Sequence, residues 1–274
     1  IATRWEPSNA VLTSNQHFQR KLSEMYGASF ATGVSKKGDN HFLNIGMSVV
    51  NPKFVASDTL TDAVELIHQA LFMPLIDEIG FDEATFAREK KNLLHYLAST
   101  REDKSYVAST RLSELFFEDK NLSTPSISTV ELMEHETRQS VFDYYKKMLL
   151  TDTIDIWILG DLTAAQDASI RAYFSDMPFT DRDPLTTVFY AQATSNIVRE
   201  KTEKEDVNQS ILQLAYSHPV KYGDSDYLTM QVLNGLLGGF SHSKLFTNVR
   251  EKESLAYYAN SRFDTFTGFL KIAA

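Results

Sequence analysis

The run Leu236-Leu-Gly-Gly-Phe-Ser-His-Ser-Lys-Leu-Phe-Thr-Asn-Val-Arg-Glu-Lys-Glu-Ser-Leu-Ala-Tyr-Tyr-Ala-Asn-Ser261 decides how this chain is read. It opens on a turn, because Gly238 and Gly239 follow an apolar helical stretch and glycine is favoured just past a helix C-terminus. A short helix follows and ends in the charged Arg250-Glu-Lys-Glu253. A strand is then expected to open on Tyr257 and Tyr258, since aromatic residues suit a pleated, half-buried surface. Helix and strand in so short a run make a mixed α+β unit.

The same order occurs near the N-terminus. An ungapped offset of 227 residues lays Leu22 on Val249, Glu24 on Glu251, Phe30 on Tyr257, Phe42 on Phe269 and Ile45 on Ile272. Both copies spell the end of a helix, a strand, a turn and a second strand, which points to a duplicated domain. In the first copy, residues 9–26 read as a helix stopped by Gly27. Phe30–Ser35 and His41–Val50 read as a hairpin turned at Lys36-Lys-Gly-Asp39, with Leu43, Ile45, Met47 and Val49 on one face.

Between the copies the pattern is mainly helical. A helix from near Ser57 ends at Pro74, and the longest helix is expected from Asp82 to about Phe117. Ser128 with Glu131, and Thr163 with Gln166, have the spacing of capping boxes. Alternating Ile154, Ile156 and Ile158 predict a strand over 151–161. Helices and hairpins without regular βαβ alternation imply an α+β fold, helices layered on antiparallel-rich sheets. We expect a first domain over residues 1–182, a linker over 183–196 that includes Pro184, and the start of a second homologous domain over 197–274. The alternation at Phe269-Leu-Lys-Ile-Ala-Ala274 stops in mid-strand, so the second domain is expected to be truncated.

Bulk properties narrow the function. The chain has 274 residues, is 43% hydrophobic and 23% charged, and carries a net charge of −9. An acidic chain whose basic clusters are isolated pairs is poorly suited to nucleic acid, which needs clustered Lys and Arg. With no cysteine, disulfides, thiolate nucleophiles and Cys metal sites are excluded. That composition suits a reducing cytoplasm. No apolar run reaches the roughly 18–20 residues of a membrane span.

The opening block resembles the second-domain signature of the insulinase/pitrilysin-type zinc peptidases, the inverzincins, and the tandem α+β repeat resembles their architecture. In that family an arginine and a tyrosine of this block reach the substrate carbonyl, and the matching positions are Arg250 and Tyr257. Each has a second reading: Arg250 as a cation complementing a helix C-terminus, Tyr257 as a cross-strand packing residue. Gly238 and Gly239 are most simply a helix cap and turn. They also resemble the glycine-rich loop with which the noncatalytic subunit of mitochondrial processing peptidase holds presequences. The strand His41–Val50 corresponds to the edge to which family substrates add as an extra strand, making Asn44 a candidate peptide contact.

The resemblance implies an HxxEH helix and a downstream glutamate. Two imidazoles one turn apart present both nitrogens on one face, and the glutamate beside the second His acts as general base. None of the seven histidines gives that spacing, nor HExxH. The long helix matches its family counterpart at Phe86–Tyr96. Glu89 fits the first of two glutamates, but the usual ligand position falls on Tyr96, with His95 beside it. A phenol, with a pKa of about 10, is a poor zinc ligand near neutral pH. Metal and cofactor are therefore expected to be absent, with zinc only if HxxEH lies in sequence not present here.

The block Met25–Gly38 further resembles a branch of the family in Gram-positive bacteria that lacks the zinc motif. That branch is associated with 5-aminopentanol modification of elongation factor P, alongside a sister protein that keeps HxxEH. The expectation is a cytoplasmic, noncatalytic subunit that holds an extended peptide and works as a dimer with an active paralogue. A zinc endopeptidase and a purely structural homo-oligomer are the alternatives.

Overall fold

The computed structural model describes residues 15–175, 185–190, 197–206 and 208–274. The expected helix over 9–26 is therefore seen as α1 (Asn15–Glu24), and most of the expected linker lies outside the described residues. The chain falls into two compact units. The first takes Ile1–Val34, Leu43–Leu93 and Glu131–Thr186; the second takes Ser35–Phe42, Leu94–Val130 and Thr187–Ala274.

In the first unit, α1 stops where Tyr26 and Gly27 take φ of 58° and 74°, the left-handed region that closes helices. The chain then forms the hairpin of β1 (Ser29–Lys37) and β2 (Asn40–Ser48), whose tip, Ser35–Phe42, turned at Gly38 with φ of 62°, is assigned to the second unit. Next comes α2 (Thr59–Phe72), capped by Asp58 accepting from the Thr61 amide. Leu22, Met25, Ala63 and Leu66 form a core against which Phe30, Met47 and Val49 pack. The apolar face expected for β2 is thus the buried one at Met47 and Val49, while Leu43 is half-exposed.

A loop braced by Asp77 leads to α3 (Glu83–Ser99), whose cap is Asp82 accepting from the Thr85 amide at 2.8 Å. Asp77 accepts from the Ile79 amide at 2.8 Å and the Gly80 amide at 3.1 Å, and pairs with Arg138. Those amides, Ile79 first, and the guanidinium hold its carboxyl below the ordinary carboxylate range. A depressed folded-state pKa means stability fully present above the unfolded value of about 4 and lost as pH falls through the folded one. Asp77→Asn should therefore show a shallower loss of melting temperature than wild type below about pH 4, measured by thermal scans across pH.

The expected single long helix is broken. Beyond α3, Arg101 and Glu102 close tight turns onto Ala98 and Ser99, and Asp103 caps a new helix, α4 (Lys104–Phe116), by accepting from the Tyr106 amide at 3.0 Å. A good N-cap in mid-run satisfies donors that a continuous helix would already have used, so the two arrangements compete. Then follow α5 (Lys120–Ser123), α6 (Val130–His135), α7 (Arg138–Thr151) and α8 (Ala164–Ser175). The Thr163–Gln166 box forms in both directions, at 3.0 and 3.3 Å. Around α7 the box is Thr137 with Ser140.

The expected strand over 151–161 is corrected. Thr151 ends α7, and residues 153–163 form no ladder with any strand among the described residues. Ile154, Ile156 and Ile158 are about half-covered while Trp157 and Leu159 stand in solvent, so the period of two survives in exposure alone. A pattern suited to a sheet makes no strand where no neighbour takes its backbone groups.

The second unit is built on β3 (Gln213–Ser217), α9 (Tyr227–Asn234), β4 (Asn260–Asp264) and β5 (Phe269–Ala273). The sheet order is β3-β5-β4, antiparallel on both sides of β5. One face packs on α4, with Phe116 edge-on to Phe269 at 4.8 Å. The other receives α9 and the glycine turn after it. A helical stretch, a strand, a turn and a strand follow one another in α1, β1 and β2, and also in Phe246–Lys252, β4 and β5.

Candidate functional site

The glycine turn is a π-helical one over Gly235–Gly239, closed by the Phe240 amide on the Gly235 carbonyl at 3.1 Å. A second π stretch, Phe246–Lys252, carries Arg250. The sequence predicts an ordinary short helix here. At Gly238, in the first of these turns, a β-carbon would lie 2.4 Å from the Ser261 amide nitrogen on β4. With glycine there the strand backbone lies against the turn. Ser261 completes the seam by donating to Asn234 Oδ1 at 2.8 Å. Gly239 is exposed. Single-turn π geometry is rare and is found frequently at functional sites.

Arg250 is half-exposed, with its guanidinium 4.6 Å above the Phe246 ring and Nε 3.6 Å from Glu251 Oε1. A ring beneath a guanidinium fixes its plane while leaving its outward donors available. Tyr257 lies in the irregular segment before β4, which begins only at Asn260, and its side chain is 84% exposed. Its neighbour Tyr258 turns the other way, its hydroxyl 3.0 Å from Ser105 Oγ on α4. The resemblance picks out Tyr257, but the contact that ties Tyr258 down has no local signal, because its partner sits 153 positions away.

Asn44 lies on β2 with its side chain at the surface. On α3, Glu89 is exposed, accepting from Arg88 Nε at 2.9 Å and from Asn92. His95 and Tyr96, further along the same helix, are exposed too. Among the described residues no group of three or more His, Asp or Glu side chains is arranged to hold a metal ion. A carboxylate engaged by Arg88, a lone imidazole and a phenol do not make the three-ligand set of a catalytic zinc. No step through zinc follows from these residues. Among the described residues no helix is long and apolar enough to cross a membrane.

Comparison with known proteins agrees with this geometry. Residues 135–274 match the family model described as Peptidase M16 inactive domain. The chain is 31% identical to the "Probable inactive metalloprotease YmfF" of Bacillus subtilis (strain 168), over 98% of this chain and 62% of that protein. It superposes on the crystal structure of a conserved protein from Enterococcus faecalis V583 with TM-score 0.86 and 43% identity, covering 98% of this chain and 63% of that one. A peptidase M16 inactive domain from Pseudomonas fluorescens, 18% identical, shares the fold with TM-score 0.69, covering 97% of this chain and 61% of that one. The chain thus spans about three fifths of the length of these relatives.

Proposed function

The chain belongs to the M16 peptidase family, matching the model of its inactive domain, and we propose that it is a noncatalytic, peptide-holding subunit that works beside an active paralogue. The observation that carries this reading is the state of the two halves of the family's chemistry. Arg250 and Tyr257 stand with donors directed outward, whereas Glu89, His95 and Tyr96 offer no ligand set. In the second unit the guanidinium and the phenol anchor carbonyls of an extended peptide and Gly239 lets it approach closely; in the first unit Asn44 and the β2 backbone take main-chain hydrogen bonds of an extended segment in their own right. In this reading the chain is cytoplasmic, built of two homologous domains over residues 1–182 and 197–274 joined by a linker over 183–196. Its association with elongation factor P modification belongs to the same proposal.

The test uses the full-length protein and a fluorescent extended peptide. Arg250→Ala should weaken binding about tenfold, the loss expected when a charge-assisted hydrogen bond is removed, with melting temperature unchanged because the side chain is half-exposed. Unchanged affinity defeats the proposal. So does stoichiometric zinc in the full-length protein with chelator-sensitive peptide cleavage, which would establish an active endopeptidase.

A further inference from the structure

The face of the three-stranded sheet that packs on α4 carries a charge arrangement that strand pairing disfavours. Residues directly opposite in an antiparallel ladder share a face, and like charges there repel. Arg262 on β4 is directly opposite Lys271 on β5. Lys271 Nζ donates to Ser109 Oγ on α4 at 2.6 Å. Burial, and then the Arg262 charge, push its ammonium below the ordinary lysine value. Beside it, Gln213 Nε2 donates to the Ser105 carbonyl at 3.0 Å, while its enclosed Oε1 has no hydrogen-bond partner among the described residues.

Among the described residues no carboxylate answers this pair. The one acid on that face of the strands, Asp264, accepts from the Phe266 amide and the Thr267 hydroxyl, each at 2.8 Å. Around α4, Glu114 is held by Arg111, Glu203 by Lys201 and Arg111, and Glu205 by Lys104. Arg262 has no ion pair among the described residues. The chain has 36 acidic residues against 27 basic ones, so an unmatched cation pair is not for want of acids. A local rule broken without a compensating partner marks a place where function, not folding, sets the residues.

We infer that Arg262 and Lys271, with the Ser109 hydroxyl that Lys271 holds and the further hydroxyls of Ser105 and Tyr258 one turn along α4, form a binding site for a single carboxylate. The guanidinium fork takes both carboxylate oxygens, the ammonium adds a point charge, and the hydroxyls turn to donate. Arg262 is exposed on the edge strand β4, which gives the ligand its way in. The site is separate from Arg250 and Tyr257 and stands or falls independently of the peptide reading.

Reductive methylation with [13C]formaldehyde makes each lysine amine visible by NMR, and the Lys271 signal is assigned by its loss in Lys271→Arg. Titrating acetate into the full chain should move that signal saturably and raise its titration midpoint, while the exposed Lys91 signal stays put. Arg262→Gln, on the exposed edge strand, should weaken the acetate response about tenfold with the melting temperature kept. A Lys271 signal that moves no more than Lys91, or an undiminished response in Arg262→Gln, overturns the site. A tighter response to inorganic phosphate than to acetate overturns the carboxylate assignment. Peptides then identify the source: displacement of acetate by a free-acid peptide but not its amide indicates a chain terminus, and displacement by an amidated peptide containing Asp indicates a side chain. Saturable acetate binding that neither peptide displaces upholds the site with a small-molecule carboxylate as its ligand, and leaves the peptide reading at Arg250 and Tyr257 untouched.

Discussion

Gly238→Ala should lower the melting temperature of the second unit by roughly 4–12 °C, whereas Gly239→Ala should scarcely move it. In an ordinary exposed helix, exchanging glycine for alanine stabilises by about 0.5–1 kcal/mol. At Gly238 the sign reverses, because the new methyl would sit 2.4 Å from the Ser261 amide nitrogen and 2.8 Å from the Asn260 carbonyl carbon. Those are backbone atoms of β4, and they yield only if the strand moves. Overpacking of this kind costs about 1–3 kcal/mol, here towards the upper end, and each kcal/mol lowers the melting point by about 2–4 °C in a domain of 150–250 residues. At Gly239 the nearest atoms, the Asn234 side-chain nitrogen at 3.1 Å and its carbonyl oxygen at 3.2 Å, need give by only a few tenths of an ångström. Thermal scans of both variants decide it; equal shifts would show that the seam between the glycine turn and β4 is looser than described. The contrast also bears on peptide holding. Gly238 is buried against β4, whereas Gly239 is exposed.

Leu66→Ala should cost about 2–5 kcal/mol, the range for emptying a core leucine site. Leu66 is 2% exposed in the core cluster that packs the base of the hairpin against α1 and α2. Its loss leaves Met47 and Phe30 without the surface that aligns β2. Denaturant unfolding measures the cost. Peptide affinity should fall as well, although Leu66 reaches no peptide, because a main-chain edge binds only when its register is held. Normal affinity in a destabilised Leu66→Ala protein would show that β2 does not receive the peptide.

Legibility of the fold followed the range of the determining contacts. The Thr163–Gln166 box, the Gly27 stop and the turn at Gly38 were all predictable, because each is settled within four residues by capping or by a positive φ. The break between α3 and α4 was missed, although Asp103 supplied the signal: an N-capping residue inside an otherwise helical pattern. Residues 151–161 failed differently. Their alternation is a real strand preference, and it remains visible in which side chains are covered. What the stretch lacks is a paired neighbour, and no local pattern reports that.

The candidate site divides in the same way. Local sequence alone determined that Arg250 and Tyr257 follow a glycine turn at fixed spacing, and that no pair of histidines is spaced to hold zinc, since both are matters of residue type and interval. Tertiary structure alone decided that the turn is π-helical, that Gly238 is there for β4, that Tyr258 is tied to Ser105 while Tyr257 is left in solvent, and that Arg262 and Lys271 meet without a carboxylate. The physical reason is one of distance along the chain. Capping, turn and helix-face preferences act between near neighbours, but close packing and electrostatics act through space, between groups that here stand 153 and 162 positions apart.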